Sequence, residues 1–229
     1  MKKIFLIISF LICLMFCFCS TGWAGGLDDA RAGWEAYKRK KWDAALILYT
    51  RAIESGELRR EVSIKVYFLR GVVYFKKNQY QNGKDDFDKA IKMNINTAAA
   101  YCNRGFAYVQ EGQYEMAMSD YNKAIELEPE HPESYNSMAW IFATCPDPKY
   151  RNSKKALEYA LKSVSIKKNF KNMDTLAAAY AETGDFAMAV KSEEEAISMC
   201  PDPKLKEEFK RVLEAYKQGM TYVQFKKGI

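Results

Sequence analysis

One histidine in 229 residues leaves little from which to build a metal centre. That residue, His131, sits in the turn Glu128-Pro129-Glu130-His131-Pro132-Glu133-Ser134 and reads as a solvent-facing loop residue. No Cys-x-x-Cys pair occurs, so a zinc site lacks its ligand spacing. Also missing are a glycine-rich phosphate loop, a Gly-x-Ser-x-Gly elbow and a His-Glu-x-x-His helix. No catalytic residue, cofactor or metal is therefore expected, and the chain is not expected to be an enzyme. The acidic pair Asp85-Asp86 and the run Glu193-Glu194-Glu195 read as polar, solvated helix faces. Twelve glycines and six prolines are too few for a collagen-like or low-complexity chain. No Asn-x-Ser/Thr acceptor site is present, which leans toward a bacterial envelope rather than a glycosylating secretory pathway. Charge of one sign is not concentrated either. The 35 basic and 29 acidic residues are interspersed, and the net +6 comes with a single basic run, Lys38-Arg39-Lys40-Lys41. That run suits a solvated turn or helix end better than a nucleic-acid or membrane patch.

Long apolar runs are also scarce. The one that stands out is Ile4 to Cys19, preceded by Lys2 and Lys3 and followed by Ser-Thr-Gly-Trp-Ala-Gly-Gly. It falls short of the ~20 residues that a membrane span needs. A basic start, a short apolar core and small residues at Gly22 and Ala24 predict a signal peptide over residues 1–24, cleaved between Ala24 and Gly25. Retention of the segment as an anchor is the alternative. Bulky Ile12, Phe16 and Phe18 precede Cys13, Cys17 and Cys19, which argues against lipid attachment. Localisation is thus expected to be exported, periplasmic or secreted.

What the chain has in abundance is self-similarity. Gly71 and Gly105 are 34 positions apart, and so are Tyr74 and Tyr108, Gly83 and Ala117, Phe87 and Tyr121, and Ala90 and Ala124. The frame extends both ways. One small residue recurs at Gly33, Gly71, Gly105, Ala139 and Ala177, a second at Ala45, Gly83, Ala117, Ala156 and Ala189. A third falls at Ala52, Ala90, Ala124, Ser163 and Ala196. Apolar residues recur at three and four within each unit, which predicts two helices per unit. A short polar turn and then an aromatic separate them: Lys41-Trp42, Gln79-Tyr80, Gln113-Tyr114, Asp185-Phe186. One hairpin cannot bury its own apolar face, so the units must stack.

This pattern resembles the tetratricopeptide repeat family, over roughly Gly26 to Pro203. The resemblance implies an all-α, right-handed α-solenoid of about five helical hairpins, in units near 26–59, 64–97, 98–131, 132–169 and 170–203. A capping helix is expected over 204–219 and a C-terminal tail over 220–229. The units are not uniform: Ala139 and Ala156 are 17 positions apart against 12 in the others, and Glu193 stands where an apolar residue usually packs. The extra residues fall in Thr144-Cys145-Pro146-Asp147-Pro148-Lys149-Tyr150, an enlarged hairpin turn with Ser153 as the expected cap of the helix that follows. This is similar to a group of exported bacterial repeat proteins with a long loop between the helices. The second copy, Cys200-Pro201-Asp202-Pro203-Lys204, ends one helix and starts the capping helix at Asp202 and Pro203. Cys145 ends a first helix and Cys200 a second, so the two thiols are expected on opposite edges and unpaired with each other.

In such arrays the first helix of each unit lines the inner surface. The stripe one residue on from the packing face carries Cys102, Phe106 and Val109, beside Asn103 and Gln110. Matching stripes are Ala30, Trp34 and Tyr37; Phe68, Val72 and Phe75; Asn136, Trp140 and Ala143; Asp174, Ala178 and Ala181. A protein-binding groove is therefore expected over Trp34, Phe68, Val72, Phe75, Cys102, Asn103, Phe106, Gln110, Asn136 and Trp140. An apolar groove with a polar rim suits an extended segment or amphipathic helix of another protein. The carboxylate clamp of chaperone-binding members is not matched: only Asn103 fits, and Glu133 would repel a carboxylate. The implied function is an exported adaptor for protein–protein interaction in envelope complex assembly, with another protein as partner and no nucleic acid. The alternative is a membrane-tethered scaffold that self-associates and keeps its N-terminal anchor.

Overall fold

A computed structural model describes residues 25–228. The expected signal peptide and its Ala24 lie outside them. Among the described residues every α-helix or strand assigned is a helix, and twelve α-helices follow one another along the chain. The chain divides into two compact units at Gln79/Tyr80.

The N-terminal unit holds α1 (Gly26–Lys38), α2 (Trp42–Glu54) and α3 (Arg60–Lys76), with α1 and α2 as a hairpin and α3 against both. Its core is Ala30, Ala36, Ala45, Tyr49, Ala52, Val66 and Val73. The small residues of the repeat frame are small for a steric reason. A Cβ on Gly33 would stand 2.7 Å from the ring of Tyr49, itself completely buried.

The C-terminal unit holds α4 (Tyr80–Lys92), α5 (Ala98–Gln110), α6 (Tyr114–Leu127), α7 (Pro132–Thr144), α8 (Ser153–Ile166), α9 (Phe170–Thr183), α10 (Phe186–Met199), α11 (Pro203–Lys217) and α12 (Tyr222–Lys227). Helices α5/α6, α7/α8 and α9/α10 are hairpins, and α5, α7 and α9 also touch in series, so the first helices form their own layer. Ala117, Ala124, Ala139, Ala156, Ser163, Ala177, Ala189 and Ala196 are all fully buried, one small residue at each close approach of the helices. Arg104 ties α5 to its neighbours. Its Nη2 and Nε donate to the two carboxylate oxygens of Asp120 at 2.7 and 2.8 Å, and its Nη1 donates to Asp88 at 2.9 Å. Burial pushes the Asp120 carboxyl up by more than Arg104 pulls it down.

The polar turn with its aromatic recurs as geometry. Trp42, Tyr80, Tyr114 and Phe186 each open a helix, and two residues before each lies a left-handed residue: Lys40, Asn78, Gly112 and Gly184, with φ of 55, 58, 73 and 85°. Lys40 lies within the exposed basic run, which is a helix end and turn. A side chain in this region carries a steric cost that glycine avoids. Lys40→Gly is therefore expected to stabilise the protein by about 0.5–1 kcal/mol, read as a rise in denaturant midpoint at unchanged slope.

Several expectations are corrected. The long loop does contain the expected turn, with the Asp147 side chain accepting from the Lys149 amide (3.0 Å) ahead of a short 3-10 turn, Pro148–Tyr150. Asn152, however, caps α8: its side chain accepts from the Lys155 amide at 3.0 Å, and Ser153 is already helical. The loop is tied down. Arg151 Nη1 donates to the Cys145 carbonyl at 3.0 Å, and its Nε lies 3.3 Å from Glu182 on α9. At the second copy, Asp202 caps α11 through the amides of Lys204 and Leu205 as expected. Within the expected tail, Tyr222–Lys227 is helical. Thr221 and Gln224 form a reciprocal capping box that starts α12. His131 is not solvent-facing: its side chain is 14% exposed, and Nδ1 lies 2.8 Å from Ser134 Oγ. Glu193 is not on a solvated face but fully buried, because α11 covers that side of α10. Cys102, Cys145 and Cys200 are free and buried.

Candidate functional site

Helices α5, α7 and α9 each expose one stripe on the same side of their layer, and between them lies a cleft of about 250 Å3. Phe106, Val109 and Gln110 come from α5, Asn136, Ser137, Trp140 and Ile141 from α7, and Lys171, Asp174 and Thr175 from α9. Tyr121 of α6 reaches the floor. Four of the sequence-predicted groove residues, Phe106, Gln110, Asn136 and Trp140, thus meet in one cavity. Two others of the same unit do not line it. Cys102 is only 8% exposed, its thiol turned into the core toward Ser134 and Ser137, and burial pushes that thiol up to about 11. Asn103 is half-buried outside the cavity. The remaining four, Trp34, Phe68, Val72 and Phe75, belong to the N-terminal unit. Trp34 is 42% exposed there and stacks on Tyr37 at 5.4 Å, while Phe68, Val72 and Phe75 are half-buried on α3.

The cleft has aromatic walls and a mixed polar lining that includes one unpartnered acceptor. Phe106 is 38% exposed, with its ring edge-on to Tyr80 at 5.5 Å. Trp140 is half-buried and edge-on to Tyr222 of α12 at 4.9 Å, because α12 folds back against α7 and α9. Asn136 Oδ1 is buried without a hydrogen-bond partner in the protein. Asp174 has its carboxyl raised, first by burial and then by Glu208, with Lys226 opposing. Lys171 is exposed, its Nζ 5.9 Å over the ring of Phe170.

Sequence reasoning missed Ser137 and Thr175 as lining residues, although both stand in the column of Asn103. That column is polar in all three units, a signal that was available. The contribution of Tyr121, from a second helix, and the contact of Tyr222 with Trp140 carried no local signal. Among the described residues no group of His, Cys, Asp or Glu is arranged to hold a metal ion. No described helix is long and apolar enough to cross a membrane.

Stacked hairpins with a layer of first helices define a helical-repeat solenoid of the interaction-scaffold class. Residues 64–95, 98–131 and 172–203 match the tetratricopeptide repeat, so the chain carries tetratricopeptide repeats. Solved structures agree on the fold. A tetratricopeptide repeat protein from Parabacteroides merdae superposes with a TM-score of 0.64 at 15% identity, over 85% of this chain and 74% of its own. A thermophilic one from Thermus thermophilus gives 0.61 at 16% identity, over 85% and 98%. YrrB, described as a TPR protein with an unusual peptide-binding site, gives 0.57 at 20% identity, over 81% and 91%. No curated protein matches the sequence significantly.

Proposed function

We propose that this chain is an exported adaptor whose cleft between α5, α7 and α9 binds a peptide or helical segment of another protein, in the assembly of an envelope complex. The observation that carries the reading is the convergence of Phe106 and Trp140, from separate repeats, on one cavity that also holds the unpartnered Asn136 Oδ1. A repeat fold supplies surface rather than chemistry, and tetratricopeptide repeats are generally non-catalytic interaction modules. A structurally similar protein, YrrB, is described as having a peptide-binding site. Export rests on Lys2, Lys3 and the apolar run that follows them.

Two aromatic anchors in one cleft concentrate binding energy. Phe106→Ala with Trp140→Ala is expected to weaken partner capture by about 3 kcal/mol or more, more than a hundredfold, with helicity retained. Pull-down from native envelope with both baits, compared by mass spectrometry, measures it. Equal recovery of the same proteins sinks the cleft assignment. Mass measurement of the mature N-terminus tests export, which fails if the chain still begins at Met1 in the cytoplasm. A concentration-independent dimer that Trp140→Ala disrupts would favour the self-associating scaffold instead.

A further inference from the structure

The net charge of +6 suggests an acidic partner, but that excess is not found at the cleft, whose lining carries one basic and one acidic side chain, Lys171 and Asp174. Its buried polar point is the Asn136 Oδ1 acceptor, and an acceptor shut away from water is stabilised only by a donor. Asp174 adds a carboxylate to the lining. Among the described lining residues the one basic group, Lys171, is exposed and lies over Phe170. The chain itself shows how this surface is satisfied next door. Helix α12 sets the ring of Tyr222 edge-on to Trp140. One turn on, Lys226 pairs with Glu208 at 3.1 Å and lies within the field of Asp174. An aromatic residue and an ammonium on one short segment therefore already answer the Trp140 and acidic side of this layer.

Resting on the peptide-binding reading above, we infer that the cleft takes a segment of another protein in which a lysine or arginine stands next to an aromatic residue. The aromatic packs between Phe106 and Trp140, and the cation donates to Asn136 Oδ1 and the Asp174 carboxylate. Phe106 and Trp140 lie on neighbouring first helices, so a single side chain spans them. Asp174, on the third helix of the layer, receives the cation. Burial and the nearby Glu208 make an ionised Asp174 costly, and a bound cation relieves that cost. Such a contact is charge-assisted and removes an unpaired acceptor at once.

The test is selection of phage-displayed random short peptides on the full chain and on variants. Lysine or arginine beside an aromatic should be enriched about tenfold over its input frequency, the factor that one such contact supplies. Asp174→Asn should keep the aromatic preference and lose the basic one. Lys171→Glu, at an exposed position, should strengthen the basic one, so the idea stays decidable if Asp174→Asn fails to fold. Aromatic peptides selected without basic residues, or with acidic ones, overturn this inference and leave peptide binding standing. An unchanged basic preference in Lys171→Glu also overturns it. If no peptide rises above background on the wild-type chain, both readings fall.

Discussion

Replacing Glu193 with methionine is expected to stabilise the protein by roughly 2 kcal/mol near pH 8, with a gain that shrinks toward pH 5. Glu193 is fully buried on α10, and neither carboxylate oxygen has a hydrogen-bond partner. Its carboxyl is raised far above the usual range, first by burial and then by Asp174. The ionisable groups beside the pair come from the two helices that follow: Glu208 and Tyr216 on α11, and Tyr222 and Lys226 on α12. Only Lys226 among them is cationic, so charge at Glu193 stays unfavourable. In the unfolded chain Glu193 titrates near ~4.3. Between that value and the raised folded one, the folded state holds the extra proton, so stability falls as pH rises through the window. Below about pH 4 both states are protonated and this pH-dependent part vanishes. Methionine fills a similar volume without a polar atom to desolvate. Denaturant titrations of both proteins from pH 5 to 9 measure the difference. A methionine variant no more stable than wild type at pH 8, with the same pH slope, would mean that Glu193 has a partner that offsets its burial.

Gly105→Val is expected to cost about 3 kcal/mol. A Cβ at residue 105 would lie 2.7 Å from Cε1 of Tyr121 and 3.2 Å from the Ala117 carbonyl oxygen. Tyr121 is among the largest fully buried side chains and also reaches the cleft floor, so its ring has nowhere to go. The backbone oxygen of α6 cannot yield without parting the hairpin. The gain in helix propensity on leaving glycine, under ~1 kcal/mol, does not offset this. Tyr121→Leu in the same chain makes room, and the double variant is expected to be less destabilised than the two single losses added together. Strict additivity of the two would show that the helices do not meet at this glycine. Because Tyr121 lines the same cleft as Phe106 and Trp140, the valine variant should also bind the partner less well, whereas Lys40→Gly, in the other unit, should leave binding unchanged.

Much of this was legible in one dimension. The 34-residue spacing from Gly71 to Gly105 and the matching spacings around it specified hairpins before any coordinates. A close helix approach admits only a small residue, so the constraint is written at single positions. Turns were legible for the same local reason: Asp147, Pro148, Asp202 and Pro203 act on the backbone within a few residues. The cleft was half legible. Helical spacing puts Phe106 and Trp140 on one stripe, but the same stripe holds Cys102, and spacing cannot say which member faces a neighbour. The stripe is wide enough to straddle the boundary between packed and open surface.

The amino-acid sequence by itself determined the helical repeat, its register, the two Cys-Pro-Asp-Pro-Lys turns and the aromatic stripes of α5 and α7, since each is written in residues of one repeat. Tertiary structure alone decided the rest. It buried Glu193 by laying α11 over α10, turned Cys102 inward against α7, and folded α12 back so that Tyr222 meets Trp140 across about eighty residues of chain. Those outcomes depend on which elements cover which faces, and covering is a property of the packed whole that no local spacing encodes.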